Sequence, residues 1–340
     1  MNQMKAARFD TAAAGICKKI RSSLLALSPE QKLQAQEIRL RAGRPVAVCF
    51  PHGTCFLREN GETVLDGIAD GLLRASKSDI EETFQILCEN SVYSHENEIR
   101  NGYLTLRGGY RAGICGTAVL QNGEITGIRD ISSICLRIAR ELPGCADELL
   151  ERLGDSVCGG LLIAGPPSSG KTTILRDIVR QLSSGIRGPA KKVVIVDERG
   201  EIAGCCHGIP QNDVGLCCDV LDGYPKAEGI LMAVRSLSPQ IVVCDEIGSE
   251  TETRAVELSL NAGAAVIASI HAGNLSEFLR RDQATALMKS GAFQHIAMLR
   301  GCAEPGKISG IYRTGDLVAE ICRGTSSDNC RLSGRVCGIA

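Results

Sequence analysis

One octapeptide limits the fold of this chain more than any other feature. It is Gly165-Pro166-Pro167-Ser168-Ser169-Gly170-Lys171-Thr172, which matches the Walker A phosphate-binding pattern G-x-x-x-x-G-K-[ST]. It follows a short apolar run and precedes a segment whose apolar residues recur with a helical period. In that position the curled main chain and the positive end of the helix dipole converge on one phosphate group. The motif therefore predicts a nucleotide-binding loop between a buried strand and a helix.

The ligands that this loop predicts are ATP and Mg²⁺. The lysine of such a loop reaches the β and γ phosphates, and the hydroxyl that follows it is offered to the magnesium ion. These side chains are Lys171 and Thr172. The candidate nucleotide-binding residues are Gly165, Pro166, Pro167, Ser168, Ser169, Gly170, Lys171, Thr172 and Thr173.

After residue 160, four apolar runs rich in β-branched residues alternate with helical segments. They cover residues 161–164, 193–196, 241–244 and 265–270. Runs that are apolar on both faces are typical of a parallel sheet covered by helices. Ser249 and Glu252 form a capping-box pattern, which predicts the start of a helix that ends near Gly263. We expect an α/β domain here.

Before residue 145 the pattern is different. Two helical stretches, 11–27 and 78–90, accompany short segments separated by Asn-Gly and Gly-Gly dipeptides, which accept the positive φ angles of tight turns. Residues 103–128 are predicted to form an antiparallel meander. We expect an N-terminal α+β domain at 1–144, an ATPase domain at 145–316 and a mobile tail at 317–340.

Two of the predicted strands end in a pair of acids. Asp245 and Glu246 follow one strand, and the carboxyl ends of parallel strands face the ligand crevice. Asp245 is suited to hold Mg²⁺ through water and Glu246 to deprotonate the attacking water, so the pair predicts hydrolysis. Asp197 and Glu198 end another strand and are candidates for a further catalytic carboxylate near the metal; an ion-paired surface turn around Arg199 is the alternative.

A histidine ends the last of the four runs. His271 would lie at the carboxyl edge of the sheet, where its imidazole is placed to hydrogen-bond the γ-phosphate. We therefore predict a sensor role for His271, with a purely structural histidine as the alternative.

The phosphate loop, Asp197-Glu198, Asp245-Glu246 and His271, in this order, resemble the secretion-type ATPases of type II and type IV systems. Within that superfamily the chain is similar to the stage III sporulation AA family of endospore-forming bacteria, over nearly all its length except the tail. The segments that carry this likeness are 37–45, 108–113, 137–141, 196–202 and 210–215. Many secretion ATPases have Gly-Glu in place of Asp245-Glu246, so the metal role of Asp245 is argued from the residue itself.

The resemblance implies a RecA-like (ASCE) P-loop NTPase core behind the smaller α+β domain, in a homo-oligomeric ring of six subunits with nucleotide at the subunit boundary. It implies an ATP hydrolase in the mother-cell cytoplasm, peripheral at the forespore membrane, that energises a secretion-like channel of membrane-embedded sporulation proteins. By the same resemblance, Arg137, Arg140 and Arg235 are candidates to close the nucleotide pocket. A surface salt bridge is the alternative for each.

Charge and composition weigh against several other classes of function. A net charge of -1 supplies no field for holding polyanions, and five Tyr, six Phe and no Trp provide no base-stacking platform, so we expect no nucleic-acid partner. The apolar runs are shorter than the roughly 20 residues that span a bilayer, and no secretory signal is recognisable. We expect a cytoplasmic protein whose 17 cysteines are reduced.

Two alternatives to the ATPase stay open. A nucleotide-gated structural adaptor would bind ATP to stabilise a ring and would hydrolyse it negligibly, whereas a RecA-like nucleic-acid motor would be stimulated by DNA. The cluster Cys205, Cys206, His207, Cys217 and Cys218 is a weak zinc candidate, because adjacent cysteines rarely both reach one tetrahedral ion.

Overall fold

The computed structural model describes residues 2–138 and 142–324 of the 340-residue chain. The chain divides into two compact units, Met1–Arg140 and Glu141–Ala340. The division therefore falls slightly before the predicted boundary between residues 144 and 145.

The first unit combines short helices with an antiparallel sheet. Its helices are α1 Asn2–Ala14, α2 Lys18–Leu25, α3 Pro29–Gln34, α4 Lys77–Leu87 and α5 Glu96–Arg100, with a 3₁₀ turn at Val92–His95. Its strands are β1 Glu37–Arg41, β2 Arg44–Pro45, β3 Ala47–Phe50, β4 Gly53–Leu57, β5 Thr63–Val64, β6 Arg74–Ala75, β7 Tyr103–Leu106, β8 Tyr110–Gln121 and β9 Glu124–Arg137.

Seven of these strands form one sheet in the order β5-β4-β3-β1-β9-β8-β7. The pairs β7–β8 and β8–β9 are antiparallel, so the predicted meander is confirmed. The predicted helix at 11–27 is two helices instead. Cys17, the N-cap of α2, has an extended backbone with ψ 147°, which interrupts the helical path.

The second unit alternates strands and helices. Its helices are α6 Asp147–Leu153, α7 Lys171–Ser184, α8 Lys226–Leu237, α9 Glu250–Asn261, α10 Leu275–Leu279, α11 Asp282–Lys289 and α12 Thr314–Gly324, with a 3₁₀ turn at Gly154–Gly159. Its strands are β10 Leu161–Gly165, β11 Val193–Asp197, β12 Cys218–Asp222, β13 Ile241–Cys244, β14 Ala265–His271, β15 His295–Leu299 and β16 Ile308–Arg313.

The seven strands of this unit form one sheet in the order β12-β11-β13-β14-β10-β15-β16. Every adjacent pair is parallel except β15–β16, so the predicted parallel sheet is confirmed. Strand β14 lies between the phosphate-loop strand β10 and the acid-bearing strand β13. The carboxyl ends of β10, β14, β13 and β11 are consequently neighbours along one edge.

Helices cover both faces of this sheet. Leu162 and Ala164 of β10 belong to a core cluster with buried residues of α8, α9, α11 and α12. Leu161 and Ile163 of the same strand belong to a second cluster with α6 and α7. Alternate residues of a strand point to opposite faces, so a continuous apolar run serves both cores.

Helices α9 and α12 bear on two predictions, the capping box at Ser249 and the mobile tail after residue 316. Ser249 and Glu252 make the predicted capping box, and α9 ends at Asn261. The prediction of a mobile tail is wrong for residues 317–324, which lie in helix α12. Leu317 is buried and Ile321 packs against the same core. The two residues are four positions apart and therefore share one face of the helix. Residues 325–340 lie outside the described residues.

Within the described part of the chain, no helix combines the length and the apolar character needed to cross a lipid bilayer.

Helix α8 approaches β11 closely at one glycine. A Cβ on Gly229 would lie 2.4 Å from Cγ1 of Val196 and 3.2 Å from Cβ of Tyr224. Val196 is buried and its branched side chain has few alternative rotamers, so it cannot move aside easily. Gly229 therefore sets the distance between α8 and the end of β11.

We expect Gly229→Ala to destabilise the protein, because overpacking costs about 1–3 kcal/mol and exceeds the gain of up to about 1 kcal/mol in helix propensity. Gly315→Ala is the matched control, since Gly315 also lies in a helix and its Cβ would have open space around it. Denaturant unfolding measures both. Equal stability of the two variants would contradict the close approach of α8.

Candidate active site

The phosphate loop joins β10 to α7, as predicted. Gly170 is the N-cap of α7 with a φ of 92°, and Ser168 has a φ of 60°. A Cβ on Gly170 would lie 3.0 Å from the amide nitrogen of Gly306, and that amide donates to the carbonyl of Ser169 at 2.8 Å. Position 170 therefore requires glycine for its conformation and for this contact.

Lys171 is buried at the start of α7 and points back across the loop. Its Nζ donates to the carbonyls of Gly165 and Pro166, each at 3.0 Å, and lies 3.0 Å from Nδ1 of His271. Burial lowers the pKa of Lys171 below its usual value, while the carboxylates of Asp245 and Glu246 oppose this shift. The sheet thus brings together the lysine, the histidine and the acids that the sequence singled out.

His271 links Lys171 to Glu246. The ammonium of Lys171 can only donate, so Nδ1 accepts from it, and Nε2–H then donates to Oε1 of Glu246 at 2.5 Å. This arrangement corresponds to the neutral Nε2–H tautomer. The register of the sheet explains the contact, because His271 is directly opposite Gly165 in the parallel pair β10–β14.

Thr172 and Asp245 form the second contact between the loop and the acids. The hydroxyl of Thr172 donates to Oδ2 of Asp245 at 2.7 Å. The other oxygen, Oδ1, accepts from the hydroxyl of Ser269 on β14. Both oxygens of Asp245 are therefore oriented by hydroxyl groups, one from the loop and one from the neighbouring strand.

Glu246 has a left-handed backbone with a φ of 46°. Such a conformation costs a non-glycine residue of order 1–3 kcal/mol and persists only where the surroundings enforce it. The hydroxyl of Ser269 accepts from its amide at 3.0 Å. The side chain is 38% exposed, so its carboxylate stays accessible to solvent between His271 and Arg199, whose Nη1 lies 3.6 Å from Oε2.

Asp197 and Glu198, at the end of β11, were predicted to supply a further carboxylate near the metal. In the structure their carboxylates have other partners. The buried Asp197 accepts hydrogen bonds from the amides of Glu201, Ile202 and Ala203 at 2.8–3.3 Å, so its carboxylate holds the following loop. Oε2 of Glu198 lies 3.4 Å from Nζ of Lys226. Neither acid contacts Thr172 or Asp245 in the described hydrogen bonds.

The remaining candidate residues are three arginines and Thr173. Arg137 is exposed and forms an ion pair with Glu37 of the first unit, Nε to Oε1, at 3.4 Å. Arg140 lies outside the described residues. Arg235 is exposed in the last turn of α8. Thr173, the last of the candidate nucleotide-binding residues, accepts a hydrogen bond at its carbonyl from the thiol of Cys145 at 3.5 Å. A role for the arginines in closing the pocket stays a prediction.

The residues present fit a magnesium ion bound together with nucleotide. Mg²⁺ takes hard oxygen ligands, uses few of them from protein and keeps substrate phosphates or water for the rest. Thr172 and Asp245 offer adjacent hydroxyl and carboxylate oxygens. Ser169 adds a fully buried hydroxyl that has no hydrogen-bond partner among the described residues, in the loop itself.

The cysteine cluster shows no such fit. Burial raises the pKa of Cys205 and of Cys218 to about 12. Within residues 2–138 and 142–324, no three His, Cys, Asp or Glu side chains are grouped to hold a metal ion.

Ser269 is a site residue that the sequence analysis missed. It is fully buried, donates to Asp245 and accepts from the amide of Glu246. A signal was present, since Ser269 is a polar residue within an otherwise apolar strand, two positions before His271. Buried hydroxyls are usually hydrogen-bonded, which makes such a residue a candidate for an internal contact.

A known protein family matches this chain over most of its length. The sequence profile of the family described as "Sporulation stage III, protein AA" matches residues 10–318. Stage III sporulation protein AA of Bacillus subtilis (strain 168) is 38% identical over 294 residues, which cover 86% of this chain and 91% of that relative.

Solved structures share the fold. The Legionella pneumophila ATPase DotB aligns with a TM-score of 0.51 at 16% identity, over 86% of this chain and 80% of DotB. The pilus retraction motor PilT with bound ADP also gives 0.51, at 17% identity over 82% of this chain and 76% of PilT. The predicted RecA-like α/β core is confirmed.

We expect Asp197→Asn to lower the free energy of unfolding by about 1–3 kcal/mol, because a buried carboxylate that accepts from three amides is replaced by a group with one acceptor fewer. Asp219→Asn, at an exposed position on the adjacent strand β12, is the control and should change stability little. Thermal and denaturant unfolding measure both. Full stability of Asp197→Asn would contradict the role of this carboxylate in holding the loop.

Proposed function

The chain belongs to the sporulation stage III protein AA family, and from this premise we propose that it is a Mg²⁺-dependent ATP hydrolase. The observation that carries the proposal is the position of Glu246. Its carboxylate is half-exposed at the strand end beside the phosphate loop, one hydrogen bond from His271, which itself contacts Lys171. That is where a base must lie to act on water next to a terminal phosphate.

Each residue of the site has a task in this proposal. The amides of the phosphate loop and the ammonium of Lys171 bind the phosphate tail, and Thr172 and Asp245 hold the metal ion, which neutralises phosphate charge when bound. Glu246 orients the attacking water and accepts its proton. His271 contacts both Lys171 and Glu246, so it is placed to respond to the γ-phosphate.

The buried lysine favours this assignment over a purely structural loop. Desolvation makes an isolated buried ammonium costly, so a protein keeps one where anionic groups compensate. Around Lys171 the fixed partners are two carbonyls and an imidazole, with Asp245 and Glu246 nearby. A phosphate tail supplies the negative charge that this environment favours.

We propose a ring of six subunits that works at the mother-cell face of the forespore membrane and energises a secretion-like channel built by other sporulation proteins. The support is the sporulation family of the chain and a fold shared with the ATPase DotB and the pilus retraction motor PilT. In such a ring Arg137, Arg140 and Arg235 would help to close the nucleotide pocket.

A nucleotide-gated structural adaptor is the second candidate. It would use the same phosphate loop and the same buried Lys171 to bind ATP, so binding alone does not distinguish it from the hydrolase. Steady-state phosphate release separates the two candidates. A nucleic-acid motor is disfavoured by the net charge of -1, and stimulation of phosphate release by DNA at moderate salt would favour it.

We expect Glu246→Gln to bind ATP as the wild type does and to lose turnover by about 10²–10⁴-fold, the usual contribution of a general base. Lys171→Ala should lose both binding and turnover. Glu250→Gln, an exposed acid in the first turn of α9, is the control. Calorimetric titration and phosphate release measure the two properties, and wild-type turnover in Glu246→Gln would contradict the assignment.

We also expect ATP with Mg²⁺ to shift the protein to a hexamer, because a nucleotide at a subunit boundary stabilises the assembled state that binds it. Glu246→Gln is the suitable protein, since it should retain ATP. Light scattering after size exclusion measures the mass with and without nucleotide. A monomer under both conditions would exclude the ring.

A further inference from the structure

We propose that Lys226 is a positioning residue that holds the main chain of Glu246 in its left-handed conformation and ties it to the acidic segments on either side. Lys226 is the first residue of α8, and nothing in the motifs of the sequence points to it. The inference rests on the proposed hydrolysis, in which Glu246 acts on water.

The main chain of Glu246 is held at both of its polar groups by side chains. Its amide donates to the hydroxyl of Ser269 at 3.0 Å, and its carbonyl accepts from Nζ of Lys226 at 2.8 Å. A non-glycine residue with a φ of 46° relaxes unless such contacts keep it in place. Ser269 lies within the rigid strand β14, whereas Lys226 reaches across from a helix.

Lys226 also binds two carboxylates, one from each neighbouring segment. Its Nζ lies 3.4 Å from Oε2 of Glu198, which follows β11, and 3.3 Å from Oε1 of Glu252 in α9. Only 10% of the lysine side chain is exposed. The three contacts on one ammonium join the loop after β11, the second residue after β13 and the start of α9.

Neighbouring carboxylates favour the charged form of the Lys226 ammonium. Burial lowers the pKa of Lys226, but Glu252 and Glu198 outweigh it, so the pKa lies above its usual value. Glu252 is fixed in turn: its Oε2 accepts from the amides of Gly248 and Ser249 at 2.7 and 2.9 Å. The segment from Glu246 to Ser249 is therefore attached to Lys226 at both of its ends.

The location of Lys226 is unfavourable for the helix that carries it. A cation in the first turn opposes the positive end of the helix dipole, where acids are preferred. Gly229, three residues later, lets α8 approach β11 and so brings its first residue within reach of both strand ends. Lys226 therefore destabilises α8 through the helix dipole. Its favourable contacts are with groups outside α8.

The consequence for hydrolysis follows from these contacts. Without Lys226, the carbonyl of Glu246 loses its donor, the left-handed peptide relaxes and the carboxylate leaves its position beside His271. Lys171 and the phosphate loop do not contact Lys226 in the described hydrogen bonds, so ATP binding should be preserved. The expected signature is a fall in kcat with little change in KM.

The test compares Lys226→Met, Lys226→Arg and Lys289→Met with the wild type, in the full-length chain. Lys289 is an exposed lysine in the last turn of α11 and controls for the loss of one positive charge. We expect kcat to fall at least tenfold in Lys226→Met with KM for ATP within threefold of wild type, Lys226→Arg to recover part of it, and Lys289→Met to match the wild type.

Lys226→Met leaves Glu198 and Glu252 without their cation, so it can also destabilise the fold. Glu252→Gln combined with Lys226→Met removes one of these charges and keeps an amide oxygen for the capping contacts of Glu252. If this double variant regains its melting temperature but not the kcat of Glu252→Gln alone, the positioning role is supported. Recovery of kcat together with stability would overturn it, and so would an unchanged kcat in folded Lys226→Met.

Wild-type protein that releases phosphate no faster than Lys171→Ala would overturn the proposed hydrolysis and, with it, the role of Lys226. If the wild type turns over ATP clearly faster than Lys171→Ala and Lys226→Met turns it over as fast as the wild type, only the role of Lys226 is overturned.

Discussion

The buried ammonium of Lys171 is the interaction on which the candidate site depends. It is held by two carbonyls of its own loop and by His271, and through His271 it is connected to Glu246. A cation in such surroundings needs anionic compensation. The carboxyl edge of the sheet provides it from the protein side with Asp245 and Glu246, and a phosphate tail would provide it from the ligand side.

The order of the strands makes this cluster possible. Because β14 lies between β10 and β13, its last residues are adjacent to the phosphate loop on one side and to the acids on the other. His271 and Ser269 lie two residues apart on β14, so one faces Lys171 and Glu246 while the other orients Asp245 and the amide of Glu246. Two side chains of strand β14 thus orient both Asp245 and Glu246.

Much of the second unit was predictable because its signals are local. The phosphate loop, the apolar runs of the four strands and the capping box at Ser249 depend on residues close in sequence, and all appear in the structure. The start of α12 was not predicted, because its apolar residues Leu317 and Ile321 make too short a pattern to recognise before their core is known.

The site was predictable in its parts but not in its connections. Asp245, Glu246 and His271 were identified from strand ends, whereas Ser269 and Lys226 act through contacts between residues 20 or more positions apart. Asp197 was selected by the same strand-end argument, yet its carboxylate binds the amides of its own loop. A strand end brings an acid to the edge of the sheet, and only the fold around it determines which group it binds.

The most direct test of this account is a calorimetric titration of the full-length protein with ATP and Mg²⁺. The account predicts saturable binding of one nucleotide per chain, abolished by excess ADP as a competitor. If a protein with a cooperative melting transition took up no ATP in this titration, the phosphate loop would not be a nucleotide site and the account would be wrong.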